Sequence, residues 1–539
     1  MGKYAIGIDF GTLSARGVLV SLPDGNPVAI SEFTYPSGVI SGSRFGISTS
    51  FDTAFQDPKD YIDALSENIR LLKSKAGINE GEIVGIGIDF TSSTVLPTTP
   101  DGVPLCSLPE FSDNAHAYVK LWKHHGAEPE AAIINNLAKE RGEAWLDVYG
   151  GRISSEWLFP KLLETLNGSL DVFVSTEKFF EAADWLTFLL TGEDVRSACT
   201  MGYKAMWNKK SGYPSDEFFS SLDERLSGVI GTKISTDVRP TGSLAGYVTR
   251  AASERFGLPE GCAVAIPIID AHSSILSSGC VKSGTLELIL GTSACHILIS
   301  ERDVDVQGIC GRVDGGIVEG LVAYEAGQSC FGDAFAWFRK NCIPKSYEDE
   351  AISKGIGVFD LLNERAENAK NTVLALDWFN GNRTPYDDPS LSGMLVGLTL
   401  DTTPEDIYVG LLTSSAFGTR RIVELYEKSG LEIKTIVASG GISKKNPRLM
   451  QILADTLGKE IKVSASEQAA AMGAATLGAA VGYFGSVPEA ADALFEGYEK
   501  IYLPNPEKAP KYDTLYSEYL ALSEHFARNT DVMKRLRNV

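Results

Sequence analysis

A chain of 539 residues is too long for one ordinary hydrophobic core, so two large domains are expected. Its 44% hydrophobic and 22% charged residues are an ordinary globular composition. A formal net charge of −21 leaves no field to attract a phosphate backbone or an anionic bilayer, which argues against nucleic-acid and membrane partners. An anionic small molecule such as ATP would have to be held locally, by amides, lysines and magnesium. The eight cysteines show no C-x-x-C spacing, which fits reduced thiols better than a zinc site or a disulfide frame. No apolar run reaches about 18 residues, and Met1-Gly-Lys leads straight into a strand, so a soluble cytoplasmic protein is expected.

The chain opens with YAIGIDFGTLSAR over residues 4–16, an apolar strand that runs into Asp9 and then a Gly-Thr-x-Ser turn. Gly11 eases a tight turn in which backbone amides and the Thr12 and Ser14 hydroxyls converge on an anion, with Arg16 following. Asp9 at the strand end can hold a hydrated magnesium ion beside that anion; the alternative is an ordinary hairpin residue. Asp57-Pro58 reads as an N-cap with proline in the first helical position, and Tyr61, Leu65, Ile69 and Leu72 then recur as one apolar helical stripe. The next strand, IVGIGIDF over 83–90, again ends in an aspartate, Asp89, followed by Thr91-Ser92-Ser93. Two strands that deliver polar residues from their carboxyl ends into one crevice are how open α/β sheets build sites.

Residues from about 113 to 257 are richer in helix signals and aromatic side chains and read as a helical insertion into the first domain. The strand CAVAIPIID over 262–270 closes that domain, and the boundary falls near 280, giving domains 1–280 and 281–539. The second half opens as the first did: GTLELILGTS over 284–293 is a strand into a Gly291-Thr292-Ser293 turn. Farther on, TIVAS over 435–439 enters the glycine pair Gly440-Gly441, with Asn446 close behind. Three strand-to-glycine turns across two similar halves suggest a nucleotide gripped between domains.

With these turns the sequence resembles the actin-like ATPase superfamily and, within it, the FGGY carbohydrate kinases, over essentially the whole chain. The resemblance implies two ribonuclease-H-like α/β domains, a helical insertion in the first and a cleft between them. The segments VKLWKHH (119–125), GGRISSEW (150–157), GYKAMW (202–207), DAH (270–272), GTSACH (291–296) and YEAGQS (324–329) are similar to the branch that acts on L-ribulose. That likeness implies ATP-dependent phosphorylation of L-ribulose to L-ribulose 5-phosphate, with Mg2+ and a homodimer; another ketopentose or a pentitol is the alternative, and an actin-like ATPase without sugar turnover a remote one. The stretch GNRTP (381–385) is similar to one common in these kinases. Several positions depart from the family: Gly410 and Thr413 stand where alanine and glutamate are common, the signature around Trp157–Glu164 is loose, and Pro267-Ile268 precedes Asp270.

The resemblance assigns Asp270 as the general base, since phosphoryl transfer to a hydroxyl needs a carboxylate to orient it and accept its proton. The residue reading alone leaves a helix N-cap equally open. Ser92, Lys204, Asp270 and Glu325 are the implied sugar contacts, a fork of donors and acceptors for an open-chain ketopentose; Lys204 can also be read as solvated and Glu325 as a cap for a helix at Ala326. Gly11, Thr12, Ser14, Arg16, Gly291, Thr292, Gly440, Gly441 and Asn446 are the expected ATP contacts, and Asp9 and Asp270 the expected Mg2+ ligands, through water. His124 and His125 read as structural rather than as metal ligands, and His272 stands two residues from Asp270 with no role assigned. The tryptophans at 157, 185, 207, 337 and 378 read as core or cleft packing.

Overall fold

The computed structural model describes residues 2–47, 52–369 and 373–537. Strand β1 (Lys3–Phe10) pairs antiparallel with β2 (Ser14–Leu22), and β2 with β3 (Pro27–Thr34). On its other edge β1 runs parallel to β4 (Ile83–Phe90) in a register that sets Asp9 opposite Asp89. Beyond β4 come β5 (Leu244–Tyr247), antiparallel to β6 (Ala263–Ala265), with β6 and the short β7 (Ile268–Ile269) both parallel to β4. The expected continuous strand 262–270 is thus broken at Pro267. Proline has no N–H for a ladder, and the Ile266 N–H and carbonyl bond instead to Ser243 and Gly242. Helix α1 (Pro58–Ala76) starts as its sequence indicated: Asp57 accepts from the Lys59 amide at 2.9 Å, and Tyr61, Leu65, Ile69 and Leu72 are all fully buried.

The insertion carries α2 (Leu158–Gly168) and α3 (Ala198–Lys204) around its own core, which includes Trp157, Leu162, Phe218 and Phe219. It is less helical than expected. Val119–Lys120 and Lys178–Glu181 join a five-stranded sheet with Ile40–Ser41, Ala54–Gln56 and Val95–Thr98, and β5 already belongs to the first large sheet. Helix α4 (Asp270–Ser277) then leads into the second half.

The second sheet has the order β10 (Gly311–Asp314), β11 (Val322–Gln328), β9 (Ala294–Ser300), β8 (Thr285–Leu290), β12 (Thr435–Ser439), β13 (Ile461–Ser464), β14 (Tyr498–Tyr502). Strand for strand, β11-β9-β8-β12-β13-β14 repeats β3-β2-β1-β4-β6-β5 with the same parallel and antiparallel pairings. The two halves are therefore one topology used twice. Helices α5 (Gly332–Cys342), α6 (Pro404–Lys428) and α7 (Pro447–Leu457) flank the second sheet, and α8 (Ala469–Ala479) packs across to β1, β4 and α4 of the first.

Glycines on the first sheet seat α8. A Cβ on Gly87 would stand 2.0 Å from the Ala474 carbonyl oxygen, and one on Gly7 would stand 2.1 Å from that of Ala471. The core between the halves draws Ala5 and Val18 from the first sheet, Ile297, Ala323 and Val437 from the second, and Ala471 and Ala475 from α8. Among the described residues no single helix is long and apolar enough to cross a membrane.

Candidate active site

The parallel pairing of β1 with β4 places Asp9 and Asp89 side by side, and β7, registered on the same strand, delivers Asp270 immediately beyond. Three carboxylates thus end three neighbouring strands. Burial and the charge of Asp9 push Asp89 well above the usual carboxylate range, and burial likewise raises Asp9. Asp89 is fully buried, with Asp9 and the Ser273 side chain as its polar neighbours, and its raised pKa favours a proton on it directed towards Asp9. The sequence presented Asp89 only as an echo of Asp9; its place in this cluster comes from strand register.

Asp270 occupies the first turn of α4, where its Oδ1 accepts the Ala271 N–H at 2.8 Å. That bond engages Oδ1 and does not exclude a second role for the carboxylate. Burial and the negative charge of Asp9 push Asp270 up to about 7, against the opposing pull of that amide and of Lys204. A carboxylate near 7 is suited to accept a proton at neutral pH.

Lys204, at the end of α3, lies 5.9 Å from the Trp157 ring centroid. Burial works to lower its pKa, but Glu325 and Glu156 outweigh burial and hold the ammonium charged. Glu325 lies within β11, so it caps no helix. Burial alone would raise it; Lys204, a hydrogen bond from His272 and the Arg383 guanidinium instead hold it well below the ordinary range. Glu325 is thus a fixed anion that the second half, together with Arg383, brings to Lys204 and Asp270 of the first. Arg383, singled out in the sequence only as part of a common stretch, sits above Gly327, where a Cβ would be 3.5 Å from its Cδ and Nη1. Its guanidinium has no hydrogen-bond or ion-pair partner among the described residues. Ser92 is half-buried in the turn after β4, which is tied to β1 by the Thr91 N–H donating to the Phe10 carbonyl at 3.1 Å.

The glycine turns separate into two groups. Gly440 takes a φ of +86°, and a Cβ there would stand 2.5 Å from the Leu290 carbonyl oxygen. The Gly440 turn therefore lies directly against the end of β8, beside Gly291 and Thr292. Space around Gly441 is open, with no atom within 4 Å of a Cβ built there. Asn446 caps α7, its Oδ1 accepting from the Leu449 amide at 3.1 Å and its Nδ2 donating to Tyr408 Oη at 2.9 Å, which commits its carbonyl oxygen and one amide hydrogen.

The first turn stands on the other sheet. Gly11 does not adopt a left-handed φ, contrary to the expected need; a Cβ on it would be 3.3 Å from the Ser14 carbonyl oxygen. Thr12 Oγ1 accepts from Trp122 Nε1 at 3.1 Å, while Ser14 Oγ and Arg16 Nε both reach Glu32 Oε1, at 3.1 and 3.2 Å.

His124 is structural. Its Nδ1 accepts the Ala54 N–H at 3.2 Å, so Nε2 carries the proton toward Glu164 at 3.0 Å, and Lys120 Nζ meets the same carboxylate at 2.7 Å. His125 faces elsewhere, 3.9 Å from Glu156. No group of three or more His, Cys, Asp or Glu side chains able to hold a metal ion occurs among the described residues. Asp9 and Asp270, the two expected ligands, nevertheless match the one or two carboxylates that a magnesium ion held mainly by water and phosphate would take from a protein.

Residues 286–481 match the FGGY family of carbohydrate kinases, C-terminal domain. A ribulokinase of Halalkalibacterium halodurans is 44% identical over 546 residues, covering 99% of this chain and 97% of that protein. One of Mycolicibacterium smegmatis is 43% identical, covering 99% and 96%. The fold is similar to the crystal structure of xylulose kinase from Rhodospirillum rubrum, with a TM-score of 0.80 at 23% identity over 97% of this chain and 99% of that one. The chain belongs to the FGGY family of carbohydrate kinases.

Proposed function

We propose that this FGGY kinase transfers the γ-phosphoryl group of ATP to the terminal hydroxyl of L-ribulose, giving L-ribulose 5-phosphate and ADP. The observation that carries this is the arrangement of Asp270 between the carboxylate pair of the first sheet and the Lys204–Glu325 pair, with a carboxylate titrating near 7 at its centre. The near-full-length likeness to ribulokinases supports L-ribulose as the substrate.

In this reading Ser92, Lys204 and Glu325 grip the hydroxyls and carbonyl of the open-chain sugar, and Asp270 accepts the proton of the attacking hydroxyl. The oxygen–phosphorus bond forms as the bond to the β-phosphate oxygen breaks, and ADP leaves. The turns at Gly11–Arg16, Gly291–Thr292 and Gly440–Gly441 receive the nucleotide, with Asn446 beside the last. Asp9 and Asp270 would hold Mg2+ through water, and the ion would neutralise charge on the phosphates. Glu325 comes from the second half, so the sugar site spans both domains, 1–280 and 281–539. The chain works in this reading as a cytoplasmic homodimer, consistent with its eight free thiols and checked by light scattering in solution.

A screen of ADP release across ketopentoses, aldopentoses and pentitols tests the assignment. L-Ribulose should give the highest kcat/KM. Preference for ribitol or xylulose would move the substrate, and ATP hydrolysis indifferent to every sugar would end the kinase reading.

A further inference from the structure

His272, on α4, is buried between α3 of the first half and β11 of the second. Its Nε2 is 3.1 Å from Glu325 Oε2 on β11, and its Nδ1 is 3.0 Å from Cys199 Sγ on α3. A carboxylate only accepts, so the bond to Glu325 requires the hydrogen on Nε2. Nδ1 then faces a thiol, and burial pushes the Cys199 pKa up and keeps its S–H available to donate. The chain therefore runs in one direction, S–H to Nδ1 and Nε2–H to carboxylate. The Tyr203 ring fixes the imidazole plane from one side, 4.5 Å between centroids, and is itself tied to β11 by its hydroxyl donating to the Ala323 carbonyl at 2.8 Å.

We propose that His272 is the positioning residue that sets the direction of Glu325 in the sugar site, held in turn by Cys199. This rests on the reading of Glu325 as a sugar contact. Glu325 is drawn by charge toward both Lys204 and Arg383; without the bond from His272 it would be free to turn onto either cation, and its placement opposite Lys204 would be lost to the sugar. The bond from His272 holds the carboxylate back, leaving it open to accept a hydroxyl while Lys204 donates. Helix α3 thus acts on Glu325 twice, through Lys204 directly and through Cys199 by way of His272. A sugar recognised by the angles among a few hydroxyl partners is sensitive to such an arrangement, and ATP, bound elsewhere, is not.

The test compares two amides of similar polarity in the full-length protein. The amide nitrogen of Gln reaches the place of Nε2, that of Asn the place of Nδ1. His272→Gln should keep KM for L-ribulose within about threefold of wild type, whereas His272→Asn and His272→Ala should raise it about tenfold to a hundredfold, as expected for a misaligned bond to a charged group. KM for ATP should not move, and kcat should change less than the sugar KM. Equal behaviour of the Gln and Asn variants, or an ATP KM that rises in step, would overturn the proposal. Should the histidine variants fail to fold, Cys199→Val decides: a severalfold rise in sugar KM alone supports the chain, and an unchanged sugar KM refutes it. A wild-type protein inert toward L-ribulose but active on another sugar removes the substrate assignment, and the same variants read against that sugar still judge His272.

Discussion

Replacing Asp270 with asparagine separates its chemistry from its structural bond. Asparagine keeps an oxygen that can accept the Ala271 N–H now held at 2.8 Å, so the start of α4 should survive. What is lost is the proton acceptor, and turnover should fall by about 10²–10⁴-fold, the usual worth of a general base. Stability should move the other way. Burial and Asp9 raise this carboxyl from 3.8 to about 7, so above pH 7 the folded protein holds an ionised group it disfavours. A displacement of that size corresponds to an upper bound on the order of 4 kcal/mol, less after screening by the water that reaches this partly exposed group. The sign follows from linkage: the folded state binds this proton more tightly than the unfolded chain, so the carboxyl costs stability as pH rises from about 4 to 7. Asp270→Asn should therefore melt higher than wild type at pH 8 without nucleotide or metal, with the gain fading toward pH 5. The assays are coupled ADP release and thermal unfolding at the two pH values. More than roughly a tenth of normal turnover, set against a base's expected contribution, removes Asp270 from the chemistry; a lower melting temperature at pH 8 refutes the charge argument.

The same carboxyl sets the pH profile: kcat/KM for the sugar should drop about tenfold per pH unit below about 7 as Asp270 takes up its proton, and a flat profile from pH 5 to 8 would contradict this. Gly87→Ala would drive a methyl group to 2.0 Å from the Ala474 carbonyl oxygen, so α8 must lift from the first sheet at a cost of about 3 kcal/mol, read as a lower urea midpoint; an unchanged midpoint would show the seat to be loose. Glu164→Gln strips Lys120 and His124 of their shared anion and should cost about 3–5 kcal/mol at pH 7, because it leaves a buried ammonium unpaired. Burial opposes ionisation of Glu164, but Lys120 and His124 hold its pKa well below 4.5, so wild type should lose this advantage progressively as pH falls below that value; a difference that persists undiminished in acid would rule the ion pair out as its source.

What could be read from the chain is what local chemistry writes into adjacent residues. Asp57-Pro58 and the stripe from Tyr61 to Leu72 define α1, and the repeated strand-to-glycine turns at Gly11 and Gly291 disclose a doubled topology. Lys204 and Glu325 were recognisable only through their family segments. Neighbouring residues gave no sign that Glu325 would fall in a strand, because a single glutamate in an apolar run reads equally well beside a helix start. Pro267 carried its break openly, but an apolar run on both sides hid it.

The remaining features arise from contacts between distant positions, for which sequence has no local mark. Asp89 gains its role only from the register that sets it opposite Asp9, and Gly7 and Gly87 read as ordinary strand glycines until α8, from the far end of the chain, lies on them. The chain from Cys199 through His272 to Glu325 joins residues 73 and 53 positions apart, on two helices and a strand. Glu287 makes the same point: its carboxylate on β8 accepts from Ser274 in the middle of α4, from Ser278 just past the helix end, and from Ser439 on β12. Helix α4 is therefore fastened to the second sheet along its length, by His272 near its start and by these serines farther on. The helix that carries Asp270 is thus held by both halves at once.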